Sequence, residues 1–199
     1  MAQIQTARPF DISTPLGDDV ILFYRMTATE ELGRLFRFEL DLLSREPDIA
    51  FDGILGQNVT VRLTLADDKK RYFNGFVSRF SQEGFLDEYH VYRATVHPWL
   101  WFLTRTADCR IFQEETVPDI LKKVFKDHGF SDYEESLSGN YRKWEYCVQY
   151  RETDFNFVSR LMEQEGIYYY FKHDKDKHTM VLSDSVSSHE PYPGFETLP

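Results

Sequence analysis

Cysteine is scarce in this chain: only Cys109 and Cys147 occur in 199 residues. Two distant cysteines make neither a disulfide framework nor a zinc site. Both are expected as reduced, partly buried thiols, the alternative being a bridge between neighbouring strands. Long apolar runs are missing too, since no stretch approaches the roughly 18 uninterrupted apolar residues of a membrane-spanning helix. Positive charge is in deficit, with 23 Lys and Arg against 33 Asp and Glu and a net charge of −10. Such a surface repels phosphate backbones and anionic lipid, so nucleic acid is not an expected partner. The opening string MAQIQTARPFDIS has neither the charged nor the apolar region of a Sec signal peptide. Assembly in the cytoplasm is expected, and any export is expected to be independent of Sec. Finally, the chain holds no G-x-S-x-G, no P-loop and no G-x-G-x-x-G, so the common nucleophile and phosphate-cradle motifs are absent.

What the chain does have is aromatic residues, at 16%. That excess argues for a packed fold rather than a disordered one. The first half reads as strands. In LFRFELDLL, Phe36, Phe38, Leu40 and Leu42 alternate with Arg37, Glu39 and Asp41, the period of a half-buried strand. NVTVRLTL alternates in the same way from Asn58 to Leu65. ADDKK then supplies a turn, and RYFNGFVSRF returns as the partner strand, with Gly75 a bulge or close-packing point. Asp87–Leu103 is a further strand whose pairing ends at Pro98. DIAFDGILGQ reads as a short helical turn closed by Gly56. Antiparallel strands joined by polar turns point to a barrel or sandwich.

The period changes near Arg105. ETVPDILKKVFKDHGF carries helix punctuation at both ends: Thr116 as N-cap, Pro118 in the first turn, Gly129 after the last. SDYEESLSGNYRK reads as loop and KWEYCVQY as strand. In QYRETDFNFVSRLMEQEGIYYYF, Thr153 is the expected N-cap of a second helix, and Asp154 suits the positive end of its dipole. Gly166 is its expected left-handed stop. IYYYFKH, the turn DKDK and TMVLSD form a hairpin, and SSHEPYPGFETLP reads as a connector.

Several side-chain groups invite a functional reading. Asp154, Glu163 and Glu165 are candidate acid/base carboxylates, but 163 and 165 do not share a helix face. His173 and His178 flank a turn holding Asp174 and Asp176, which admits a weak metal site; turn histidines with no ligand role are commoner. His90 and His97 fall on opposite faces of one strand and cannot converge within it. Trp99, Trp101, Tyr168, Tyr169 and Tyr170 are expected as packing or interface aromatics. Arg151 is expected to pair with Asp154 or another carboxylate. No catalytic residue, cofactor site or metal site is assigned.

HPWLWFLTRTADCRIFQ, followed by the Gln149–Phe171 string, resembles the N-terminal region of the VgrG family. These are spike proteins of the bacterial type VI secretion system, and their N-terminal region is similar to phage baseplate hub proteins. LGRLFRFELDLLS, ILGQNVTV and YFNGFVSRF match in order, so the resemblance covers nearly the whole chain. It implies an α+β, mainly antiparallel β fold: a tail-tube-like β-barrel over residues 1–103, a small α/β subdomain with two helices over 104–186, and a connector over 187–199 towards a second barrel. It also implies a homotrimer seated on a hexameric secretion tube, contacts with baseplate components, possible effector cargo, and secretion by injection. The work implied is mechanical, with no enzyme activity: the hub joins tube to puncturing spike. A phage-like contractile-tail hub is the nearest alternative. An envelope glycan hydrolase and a carbohydrate-binding module are alternatives of other classes.

Overall fold

The computed structural model describes residues 8–65 and 68–189. Ala66 and Asp67 of the expected ADDKK turn, and residues 190–199 of the expected connector, lie outside the described residues. The chain forms two compact units. One runs to Phe102 and includes Phe171–Thr179, and the other holds Leu103–Tyr170 and the described residues from Met180 on. The first unit thus takes in the turn of the last hairpin as well as the residues before Leu103.

The first unit is built on six strands: β1 (Phe10–Ser13), β2 (Leu22–Thr29), β3 (Arg37–Ser44), β4 (Asn58–Thr64), β5 (Lys70–Leu86) and β6 (Tyr89–His97). They pair antiparallel in the order β1-β4-β5-β6-β3-β2. The sheet is a curled half-barrel, and the ring of Phe10 on one edge strand stacks on Phe23 of the other at 5.5 Å. Curling depends on β5, which pairs with β4 over its first half and with β6 over its second. Its register slips between Val77 and Arg79 and again between Gln82 and Gly84. Such bulges add twist and bend a strand. The alternation from Phe36 through β3 sorts as expected, with Phe36, Phe38, Leu40 and Leu42 each 1% exposed in the core. Gly75 is a close-packing point, because a Cβ there would lie 2.6 Å from Val96 Cγ1 and 2.8 Å from the His97 carbonyl. β6 ends at His97, and beyond Pro98 the chain forms a 3-10 turn over Trp99–Thr104 instead of continuing as strand. The proline has no N–H to give the ladder.

The second unit holds β7 (Ala107–Phe112), α1 (Val117–Asp127), β8 (Tyr133–Ser136), β9 (Cys147–Thr153) and α2 (Asp154–Glu165). Thr116 caps α1 by accepting from the Asp119 N–H at 3.3 Å. The helix stops as Phe130 N–H reaches the Phe125 carbonyl at 3.0 Å and Gly129 N–H reaches Lys126 at 2.9 Å. Gly129, at φ +77°, makes that reversal possible. The stripe Ile120, Leu121, Val124 and Phe125 is fully buried. α2 is capped by Thr153, whose hydroxyl accepts from Asn156 N–H at 3.1 Å. It stops at Gly166 with φ +72°.

β10 (Tyr168–His173) and β11 (His178–Ser183) form the hairpin, and β11 also pairs with β8. That last ladder is parallel, Met180 to Tyr133 through Ser183 to Ser136. Residues 133–136 are thus strand where loop was expected. The segment is short and polar, and its partner lies more than forty residues away, so no local pattern marks it. Likewise the strand expected over Lys143–Tyr150 is shifted to Cys147–Thr153, with only an isolated bridge from Trp144 to Glu115. Cys109 lies across from Tyr150 and Cys147 across from Phe112 on the β7–β9 ribbon. One thiol is exposed and the other buried, so no bridge joins them.

Candidate functional site

β9 delivers Thr153 as a cap, so the next residue, Asp154, opens α2 with its carboxylate beneath the helix. It is 3% exposed. Oδ2 accepts from Thr106 Oγ1 at 2.6 Å and contacts His128 Nε2 at 2.8 Å. Oδ1 accepts from Gln149 Nε2 at 2.7 Å and Arg110 Nη2 at 2.5 Å. Burial raises the carboxyl pKa. The hydrogen bonds from Gln149, Thr106 and His128, together with the charge of Arg110, more than offset it, and the net direction is down. A carboxylate with both oxygens doubly engaged at neutral pH is poorly placed to move protons. It holds β7, β9, the end of α1 and the start of α2 together.

The other two carboxylates of the expected acid/base set stay apart from it. Glu165 is the last residue of α2, about 16 Å along the axis from Asp154 at the usual helical rise. Its Oε1 accepts from Trp144 Nε1 at 3.1 Å, while Glu163 is exposed. Arg151, expected to pair with Asp154 or another carboxylate, is not one of the ion-pair partners of Asp154, which are Arg110 and His128, and it forms no ion pair among the described residues. Arg151 is the extra residue of a bulge, since Asp108 faces Glu152 while Cys109 faces Tyr150. Its φ is +51° and its guanidinium lies 5.2 Å from the Tyr150 ring. The cation on Asp154 is Arg110, which comes from the neighbouring strand. Nothing in the 149–171 string marks it, although Gln149, a polar residue at a buried strand position, is a signal of such a network.

The aromatic candidates divide. Trp99 is 1% exposed, so its ring cannot be offered to a sugar. Trp101 is half-buried and stacks on His97 at 5.5 Å. Tyr169 is buried on one face of β10. Tyr168 and Tyr170 lie on the other, with the His189 ring 5.7 and 5.3 Å from theirs. Tyr168 also donates to the Ser185 carbonyl at 3.0 Å. His173 and His178 do approach, with ring centroids 6.1 Å apart. Their nitrogens face Glu30, Asn74 and the Trp99 N–H. Among the described residues no cluster of three or more His, Cys, Asp or Glu is placed to hold a metal ion.

On the outer face of the curled sheet, charged side chains form a lattice across β2, β3 and β6. Asp41 accepts from Arg25 Nε at 2.8 Å and from Arg93 Nε at 3.1 Å. Burial raises its pKa, yet the two arginines hold it below the ordinary carboxylate value. Glu39 pairs with Arg37 and accepts from Thr95 Oγ1 at 3.2 Å.

Comparison with known proteins agrees with that architecture. The family profile of the phage tail baseplate hub (GPD) matches residues 29–199. Type VI secretion system spike protein VgrG1b of Pseudomonas aeruginosa is 51% identical over 199 residues, covering 100% of this chain and 27% of that protein. VgrG1a of the same organism is 49% identical over 196 residues, covering 98% of this chain and 30% of its own length. The chain therefore spans under a third of these relatives. Among solved structures, the E. coli c3393 protein superposes with a TM-score of 0.74 at 25% identity, over 85% of this chain and 50% of that one. It is described as a type VI secretion component with structural similarity to the T4 bacteriophage tail proteins gp27 and gp5. A curled antiparallel sheet, a small helical unit and a match over most of the sequence agree, and the chain belongs to the phage tail baseplate hub (GPD) family.

Proposed function

We propose that this chain is the hub segment of a type VI secretion spike and acts mechanically, joining the secretion tube to the puncturing tip. The single observation that carries this reading is the similarity to spike proteins across the entire chain. The site geometry supports it: the buried Asp154 carboxylate is saturated with donors, and Asp41 and Glu39 on the sheet are paired with arginines. No residue is assigned a chemical step. In this reading three copies form a ring on a hexameric tube, contact baseplate components and carry effector cargo. They assemble in the cytoplasm and leave by injection rather than through Sec.

The test is an in-frame deletion of residues 10–102 from the full-length gene, followed by measurement of tube protein released into the medium. Release is expected to stop, and wild-type release from the deletion strain would sink the reading. Incubation of the purified chain with peptidoglycan is expected to give no soluble fragments; turnover that disappears in Asp154→Asn would restore the hydrolase alternative.

A further inference from the structure

His178 opens β11 and packs, with the rest of Phe171–Thr179, in the first unit. It is 2% exposed, and both ring nitrogens are engaged. Nε2 lies 2.9 Å from the Trp99 backbone nitrogen and accepts its N–H. A backbone amide only donates, so Nε2 carries no proton in this arrangement. The ring proton is then on Nδ1, which faces Asn74 Oδ1 at 2.8 Å. The Asn74 amide is oriented in turn, since its Nδ2 donates to Asn58 Oδ1 at 2.6 Å and Thr60 Oγ1 at 2.8 Å. The neutral ring thus ties β5 to the turn after Pro98.

Apart from Asn74 Oδ1, the ring is enclosed mainly by aromatic side chains. The Phe36, Phe171 and Phe76 rings pack on it at centroid distances of 5.3, 5.7 and 5.9 Å. The titratable group facing it is His173, at 6.1 Å between centroids. Behind His173 lie Glu30, whose Oε1 is 2.7 Å from its Nε2, and Arg71, 3.9 Å from Glu30. A second ring proton would set Nε2–H against the Trp99 N–H, donor against donor, in an apolar pocket.

We propose that His178 is a proton-operated latch: its neutral ring clasps the Phe171–Thr179 segment to β5 and to the turn at Trp99, and proton uptake opens that clasp. Burial first, and the neighbouring His173 second, pull the closed ring down to about 3 from its ordinary 6.5. The open ring returns to the ordinary value, so acid favours the open state. Local opening rises about tenfold for each pH unit below that value.

Hydrogen exchange of the Trp99 amide in the 199-residue chain, corrected for intrinsic rates, reads this directly. Between about pH 6 and pH 4 its protection is expected to fall roughly a hundredfold, while the Leu40 amide in the sheet core keeps its own. In His178→Gln the carboxamide oxygen still accepts the Trp99 N–H but does not titrate, and the Trp99 profile is expected to be flat. A flat profile in the wild type, or the same fall in His178→Gln, overturns the latch. Should His178→Gln fail to fold, the wild-type ring 15N shifts decide. A bare Nε2 at neutral pH, gaining its proton in step with exchange at Trp99, supports the latch, and an Nε2–H tautomer overturns it.

Discussion

Arg110 donates Nη2 to Asp154 Oδ1 at 2.5 Å, across from the strand that leads into the second helix. The pair is well covered, with side chains 18% and 4% exposed. Removing one partner of a buried ion pair leaves the other charged and uncompensated, at a cost of about 3 kcal/mol or more. Arg110→Ala is therefore expected to lower stability by about 3 kcal/mol in urea unfolding. Because the Asp154 pKa is lowered by folding, its contribution is present above the ordinary carboxylate range. It is lost as pH falls through the folded value. The penalty of Arg110→Ala should accordingly shrink in acid, and a penalty independent of pH would separate the arginine from the carboxylate.

Arg151, next to this network, makes the opposite case. It sits at φ +51° with its guanidinium on the exposed Tyr150 ring. A left-handed conformation costs a side-chain-bearing residue about 1–2 kcal/mol, whereas glycine adopts it without that strain. Arg151→Gly should raise the melting temperature slightly, by about 0.5 kcal/mol equivalent after glycine's entropy penalty. Arg151→Val should lower it. A loss with Arg151→Gly as large as that of Arg110→Ala would mean the guanidinium has a buried role after all.

How far the sequence could be read follows from these residues. Thr116, Thr153, Gly129 and Gly166 act within a few positions of themselves, and all four sit where local capping rules place them. The Phe36 to Leu42 alternation is likewise local, and it sorts core from surface. Asp154 was legible as a helix-start residue, but its partners Thr106, Arg110 and His128 come from distant positions in the chain. No spacing rule links them. The parallel pairing of Tyr133–Ser136 with β11, and the bulge that turns Arg151 away, are tertiary outcomes of the same kind.

Two glycines separate strain from space. Gly166 has φ +72° and open space where a Cβ would lie. Gly166→Ala should thus cost only the left-handed penalty, about 1 kcal/mol, and Gly166→Val more. At Gly75 a Cβ would meet Val96 Cγ1 at 2.6 Å and the His97 carbonyl at 2.8 Å. Gly75→Ala must push two strands apart and should cost about 2–3 kcal/mol. Denaturant titration of the two alanine variants checks the order, and a larger loss at Gly166 would contradict it.

Asp184 gives the last prediction, because its carboxylate is caged by one loop. It accepts from Ser138 N–H at 2.9 Å and Gly139 N–H at 2.6 Å, and from the hydroxyls of Ser138 at 3.0 Å and Tyr141 at 2.7 Å. Desolvation pushes its pKa up, but the donors, led by Ser138 N–H and the Tyr141 hydroxyl, bring it down to about 2 from 3.8. Desolvation and the Asp184 charge push the Tyr141 hydroxyl the other way, upward. A carboxylate depressed on folding stabilises the folded state fully above its unfolded value and loses that contribution as pH falls through the folded one. The window here runs from about pH 4 down to about pH 2. Asp184→Asn exchanges one acceptor oxygen for a donor facing the loop N–H groups. It should lower the melting temperature at neutral pH and flatten its dependence within that window. If wild type and Asp184→Asn lose stability in parallel down to about pH 2, the loop's donors are not what sets the acid limit of this carboxylate.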